Sequence, residues 1–60
     1  MDDTVEFRYE VQGFYHNMYG WETLASYPGT PSGRANAVAD RKEYDIAEAM
    51  YAHRIKKIKI

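Results

Sequence analysis

The alternation of apolar and polar side chains over residues 5–12 predicts the first strand of this protein. Residues at the odd positions are β-branched or aromatic, namely Val5, Phe7, Tyr9 and Val11. The positions between them carry charged or amide side chains. A period of two is typical of a strand with one buried face. The chain must therefore build a sheet with an apolar side, and another element must cover that side.

An aromatic-rich hairpin is predicted over residues 5–27, which contain seven of the nine aromatic residues. The connection at residues 14–20 includes Asn17 and Gly20, two residue types that tolerate the positive φ needed to reverse a chain. The remainder of the chain has little apolar bulk, so we expect it to fold onto this hairpin.

The return strand, Trp21–Tyr27, alternates imperfectly. Simple alternation places Trp21 on one face together with Thr23, Ala25 and Tyr27, and leaves Leu24 on the other. A bulge near Glu22–Thr23 would instead bring Trp21 and Leu24 to the same side. The sequence leaves both arrangements open.

A helix is predicted to begin at Pro31, after the turn Pro28-Gly29. Thr30 is a good N-cap, and proline is favoured at the first helical position. The apolar positions that follow have helical spacing and define the expected buried stripe, with Lys42 in the remaining slot: Ala35, Val38, Ala39, Ile46, Ala49 and Met50. A break near Tyr44–Asp45 is an alternative that no proline or glycine requires.

The segment His53–Ile60 predicts a last strand with Ile58 and Ile60 on the core face. A right-handed crossover through the helix places this strand beside the first. The expected fold is α+β, with one helix on one face of a three-stranded antiparallel sheet, element order ββαβ and strand order 2-1-3. Lys57 and Lys59 then lie on the open face near Glu6 and Glu10. The predicted core is Val5, Phe7, Tyr9, Val11, Trp21, Val38, Ile46, Ile58 and Ile60.

Length and composition predict one small domain, residues 1–60, in a reducing compartment. A chain of 60 residues buries only about 60% of its unfolded surface, and without cysteine it has no disulfide to add stability. The start is acidic rather than basic, which argues against a signal peptide. No apolar run approaches the ~20 residues of a membrane span. We therefore expect a cytoplasmic protein without a membrane partner.

Charge is distributed unevenly along the chain. Residues 1–30 carry five acids and one base, a net −4, and residues 31–60 carry seven bases and four acids, a net +3. Such halves can pair with each other in the fold, or they can steer a charged partner.

Catalytic and metal chemistry find little support in the sequence. His16 and His53 lack ligand spacing and a third partner, so we interpret them as ordinary half-exposed histidines. No serine or cysteine has a nucleophile's surroundings. Residues 29–33 are glycine-rich at a helix start, but no lysine follows in a phosphate-loop pattern. The prediction is a non-enzymatic protein with no cofactor and no metal site.

Two groups of residues are candidates for binding. The hairpin connection presents the kinds of side chain that are enriched at interface cores, namely Phe14, Tyr15, Met18 and Tyr19. They either contact a partner or close the end of the small core. The last strand carries a basic group that could contact nucleic-acid phosphates: Arg54, Lys56, Lys57 and Lys59.

The chain resembles small accessory proteins encoded by bacteriophages. The residues that carry the resemblance are Tyr9–Val11, Gly20-Trp21, an alanine-rich helix with Arg34, Ala35 and Glu43-Tyr44, and the ending at 54–58. Proteins of this group include inhibitors and modifiers of host enzymes, and they usually act by binding. The resemblance implies a protein that binds and modulates a host protein in the host cytoplasm.

An acidic rim near the hairpin connection would suit a basic partner, such as a nucleic-acid-processing enzyme. The alternatives are a nucleic-acid-binding module that uses the basic last strand and a structural homo-oligomer subunit.

Overall fold

The computed structural model describes residues 6–60, which form a three-stranded sheet and one helix. The elements in chain order are β1 (Phe7–His16), β2 (Gly20–Pro28), α1 (Pro31–Ala47) and β3 (Ala52–Lys59). The strand order is β2-β1-β3, and both pairings are antiparallel. The predicted α+β fold, with order ββαβ and strand order 2-1-3, is confirmed.

The start of α1 follows the predicted capping pattern. The Thr30 hydroxyl accepts a hydrogen bond from the Gly33 N–H at 3.0 Å, and Pro31 occupies the first helical position. The cap satisfies a backbone donor that would otherwise lack a partner. The helix runs through Tyr44 and Asp45 without a break and closes with the Glu48 N–H donating to the Tyr44 carbonyl.

Cross-strand register divides the sheet into two faces. Tyr9 lies opposite Tyr27 and Lys57, and Val11 lies opposite Ala25 and Ile55. Because α1 packs over these residues, we call this side the helix face. The side chains on the other side of the sheet form the open face: Arg8, Glu10, Gln12, Phe14, Trp21, Thr23, Ser26, Pro28, Ala52, Arg54, Lys56 and Ile58.

A β-bulge in β2 decides where its side chains point. The register shifts between Val11 and Gln12, so Leu24 has no direct partner on β1. Thr23 lies opposite Gln12 and Trp21 lies opposite Phe14, both on the open face. Simple alternation of β2 is therefore wrong, because Trp21 and Thr23 lie on the opposite face from Ala25 and Tyr27. The bulge falls later than Glu22–Thr23, and it separates Trp21 from the helix face.

The orientation predicted for β3 is also wrong. Ile55 lies opposite Val11 on the helix face, whereas Ile58 lies opposite Arg8 on the open face. A one-residue difference in register moves every side chain of a strand to the other face. Val11 is fully buried, and Ile55 is the apolar residue of β3 that lies opposite it.

The face predicted for the β3 lysines is wrong for the same reason as that predicted for the isoleucines. Lys57 and Lys59 lie opposite Tyr9 and Phe7 on the helix face. Lys56 is the residue opposite Glu10. Of the predicted charge neighbours, only Glu6 lies near Lys57 and Lys59, with which it lines a surface depression of about 290 Å³.

The core is small, and α1 faces it differently from the prediction. Val11 and Ala37 are the fully buried apolar residues among residues 6–60. The helix approaches the sheet through Gly33, Ala37 and Tyr44, so most of the predicted buried stripe points outward; its exposed members are Ala35, Ala39, Lys42, Ile46, Ala49 and Met50. Only Val38 of that stripe is half-buried.

Of the predicted core, Val11 is confirmed, and Ile46 and Ile60 are wrong because they are 81% and 72% exposed. The other described members are half-buried: Phe7, Tyr9 and Val38 as well as Trp21 and Ile58, the last two on the open face. Val5 lies outside the described residues.

Candidate functional site

The β1–β2 turn is held by its own backbone and presents two large side chains. The Tyr19 N–H donates to the His16 carbonyl at 3.1 Å, and the Met18 N–H donates to His16 Nδ1 at 3.1 Å. Gly20 follows with a φ of 68°, a conformation that favours glycine. Met18 is 77% exposed and Tyr19 is 71% exposed.

The end of α1 lies at the same end of the sheet as this turn, because β2 and β3 both begin there. Ile46 in α1 is exposed there, as are Met50 and Tyr51 in the connection from α1 to β3, with Met50 at 84%. The Tyr51 ring packs on the Tyr15 ring with centroids 4.9 Å apart. We call these exposed side chains the turn-end surface: Met18, Tyr19, Ile46, Met50 and Tyr51.

The structure separates the four side chains predicted to form a docking loop. Phe14 lies on the open face, with its ring centroid 5.3 Å from that of Trp21. Tyr15 turns to the other side, where its ring lies over Gly13 and its hydroxyl donates to Glu48. Met18 and Tyr19 alone project from the turn. Tyr15 is therefore part of the structural support, and its turn toward the helix could not be predicted from the residues around it.

A polar cluster around His53 joins β3 to α1. His53 Nδ1 lies 2.9 Å from Asp45 Oδ1, and Nε2 lies 3.2 Å from Glu48 Oε1. The His53 side chain has no exposed surface, and its ring also contacts that of Tyr44 at 5.7 Å. An imidazolium would donate to both carboxylates, because both ring nitrogens then carry a proton.

Tyr15 extends the cluster to β1. Burial and the hydrogen bond to Glu48 raise the pKa of Tyr15 well above its usual range. The same hydrogen bond, together with that of His53, lowers the pKa of Glu48. Since the imidazole of His53 is closed off from solvent, we interpret the cluster as a clasp that holds the end of α1 on the sheet.

The interpretation of His53 as a half-exposed histidine is wrong, and the clasp was not predicted. Its signal is the spacing of Gly33, Ala37, Tyr44 and Glu48, which lie along one side of a helix. This stripe is small and polar, so a search for large apolar residues passes over it.

On the open face, Glu10 is the centre of a hydrogen-bond network. Its Oε1 accepts from Thr23 at 2.8 Å and from Gln12 at 3.1 Å, and its Oε2 accepts from Arg8 at 2.9 Å. Glu10 is only 8% exposed although it lies on the uncovered side. These donors, Thr23 first and Gln12 second, lower the pKa of Glu10 despite its burial.

The network continues to an aromatic pair. Arg54 Nε donates to Gln12 Oε1 at 2.8 Å, and its guanidinium lies 4.1 Å from the centroid of the Trp21 ring. Trp21 packs in turn on Phe14. The open face therefore carries three planar groups in contact, with the two aromatic rings tilted by 56° to each other.

The basic residues predicted to bind nucleic acid are divided between the two faces. Arg54 and Lys56 lie on the open face. Lys57 and Lys59 lie on the helix face, where the Lys57 ammonium sits 4.2 Å from the centroid of the Phe7 ring. They do not form one basic surface.

Among residues 6–60, no group of three or more histidine, aspartate or glutamate side chains is arranged to hold a metal ion. His16 is exposed in the turn, apart from buried His53. The described helix falls short of the length and apolar character needed to cross a membrane. No family model, curated protein or solved structure matches the chain.

Proposed function

We propose that this chain is a small, non-enzymatic protein-binding domain whose partner docks on the turn-end surface. One observation carries the proposal. Five of the six large apolar side chains that are exposed among residues 6–60 gather at one end of the sheet, and Ile60 alone lies at the other end. Scattered exposed apolar residues are ordinary, but a concentration of them marks an interaction site.

The chemistry of this surface suits a protein partner. Methionine and tyrosine are enriched at interface cores, and binding energy concentrates in a few such side chains. Ile46 is supplied by α1, Met50 by the hydrogen-bonded connection between α1 and β3, and Met18 and Tyr19 by the β1–β2 turn, so the contact groups are held on ordered backbone. Preorganisation of this kind reduces the entropic cost of binding.

The charges beside the turn-end surface favour a basic partner. Glu22 and Glu43 are exposed on the helix side of the sheet, where the clasp adds Glu48 and also Asp45, whose charge is paired with Arg41 at 3.1 Å. An acidic rim accelerates association with a positively charged protein and selects against acidic ones. A host protein of a bacteriophage, such as a nucleic-acid-processing enzyme in the host cytoplasm, has this character.

The test uses two isoleucines with similar exposure at opposite ends of the molecule. Ile46→Ser alters the turn-end surface, and Ile60→Ser alters the far end. The immobilised wild-type protein is used to capture partners from a bacterial lysate, and the captured protein is then purified for titration by calorimetry. We expect Ile46→Ser to weaken that binding by roughly tenfold, as truncation of an anchoring side chain in an interface does. Ile60→Ser should leave the binding unchanged.

A second pair of measurements completes the test. Tyr19→Ala should weaken binding as Ile46→Ser does, and both variants should keep the wild-type melting temperature because their side chains are exposed. Undiminished binding by both folded variants would contradict the proposed site. A stable dimer of the wild-type protein, weakened by Ile46→Ser in a mass measurement in solution, would assign the surface to a second copy and overturn the proposal of a different partner.

A further inference from the structure

The open face of the sheet carries more positive than negative charge. The strands place three bases on the open face, Arg8, Arg54 and Lys56, and one acid, Glu10. Both oxygens of that acid are occupied by internal donors. The exposed acids of β2 and α1 lie on the helix side of the sheet instead. The open face is therefore a basic surface on a protein whose net charge is −1.

Three planar groups lie among these basic side chains on the open face. Trp21 contacts both of the other planar groups: its ring lies 5.3 Å from that of Phe14 between centroids, at an angle of 56°, and the Arg54 guanidinium lies 4.1 Å over the indole. All three are half-buried, so each keeps part of its surface open to solvent. The bond from Arg54 to Gln12 fixes the plane of the guanidinium.

From this juxtaposition we propose that the open face binds single-stranded nucleic acid. Unpaired bases stack on aromatic rings and on arginine guanidinium planes, while cations alongside contact the phosphates. An acidic protein would need only the positive charges of the open face, so the aromatic rings favour a single-stranded nucleic acid over it. The rings also distinguish a single strand from a duplex, whose bases are already stacked. The site is independent of the turn-end surface, so either proposal can fail without the other.

Trp21 supplies the readout, because it is the one tryptophan in the chain. The probes are thymidine and uridine homopolymers of about 15 nucleotides and a duplex of the same length, a span within the range of small single-strand binders. We expect both single strands to quench Trp21 fluorescence and the duplex to bind at least tenfold more weakly. Arg8 is paired with Glu10, so Arg54 and Lys56 remain for the phosphates, and two contacts predict a slope of about −1.4 for log K against log salt concentration.

Two lysines on one strand provide a matched control. Lys56→Gln removes a charge from the open face, and Lys59→Gln removes the same charge from the helix face. At about 50 mM salt the loss of one phosphate contact weakens binding by roughly eightfold. We expect this loss for Lys56→Gln and little change for Lys59→Gln. Phe14→Leu, checked for folding by its melting curve, should weaken binding by about tenfold if a base stacks there.

Several outcomes would overturn the proposal. Absence of quenching by either single strand at low salt would exclude the site. Equal losses in the two lysine variants would show attraction to net charge alone. Binding of the duplex as tight as that of the single strands, with no effect of Phe14→Leu, would remove the stacking role of the aromatic pair.

Discussion

At the scale of single residues, Glu10 shows how an uncovered sheet face can bury a charge. The carboxylate is surrounded by Thr23, Gln12 and Arg8, which supply its hydrogen bonds. An ionised carboxylate that leaves water needs such donors, or its burial would be costly. The sequence placed Glu10 correctly on the open face, but nothing in it identified Thr23 as a partner, because that contact depends on the bulge at Leu24.

The lowered pKa of Glu10 predicts a loss of stability in acid. A carboxyl group whose pKa is lower in the folded state stabilises the fold above its ordinary pKa, and the contribution is lost as the pH falls below about 4.5. Urea unfolding at a series of pH values measures this loss. The Glu10→Gln variant should be less stable than wild type at neutral pH and should lose less stability between neutral pH and acid.

Hydrogen bonds also lower the pKa of Glu48. The free energy of unfolding of the Glu10→Gln variant should therefore still fall in acid, although by less than that of the wild type. Superimposable pH profiles for wild type and Glu10→Gln, apart from a constant offset, would show that the network does not hold the carboxylate in its charged form.

At the scale of elements, the helix is defined clearly by the sequence and its rotation is not. Thr30, Pro31 and the apolar spacing predict where α1 lies. The side that contacts the sheet is decided by what the sheet presents, which includes the polar groups of Tyr15, Tyr27 and His53. Tyr27 bonds to Asp40, and the other two reach Glu48 and Asp45. Buried polar groups need such partners, and this requirement outweighed the apolar stripe.

Gly33 adds a steric reason for this rotation. A side-chain carbon at this position would collide with the carbonyl group of Pro28, so only glycine allows the first turn of α1 to lie this close to β2. Ala37, one turn later, is also fully buried. The contact between helix and sheet is therefore built on small residues, which a prediction based on large apolar side chains does not detect.

Two alanines in α1 test this rotation. Ala37→Leu inserts three carbons into a filled contact and should lower the free energy of unfolding by about 1–3 kcal/mol. Ala39→Leu makes the same change on the exposed side and should stay within about 0.5 kcal/mol of wild type. Urea denaturation measures both. The opposite ranking would mean that the predicted apolar stripe is the buried one.

At the scale of the whole molecule, topology was the most predictable property and the assignment of faces the least. Strand order follows from connectivity, since a crossover helix leaves one free place beside β1. Each assignment of a face depends on single-residue register, which the bulge in β2 and the pairing of Ile55 with Val11 determine. For the same reason the predicted docking loop and the predicted basic strand were each divided between the two faces.

The core is small, and this leaves large apolar side chains exposed to a partner. Among residues 6–60 only Val11 and Ala37 are fully buried apolar residues, while Ile46 and Met50 are exposed. Chains of this length are marginally stable and often gain burial from a partner. The same outward turn of α1 that limits the core creates the turn-end surface and leaves the open face to its own polar network.

The turn-end surface depends on the outward orientation of Ile46 and Met50, which methyl NMR with a soluble paramagnetic agent measures. The agent relaxes methyl groups in proportion to their exposure to solvent. We predict strong relaxation of the Ile46 and Met50 methyl groups, comparable to that of exposed Ile60, and protection of Val11 and Ala37. Protection of Ile46 and Met50 together with strong relaxation of Ala37 would contradict the account, because the apolar stripe would then be the core.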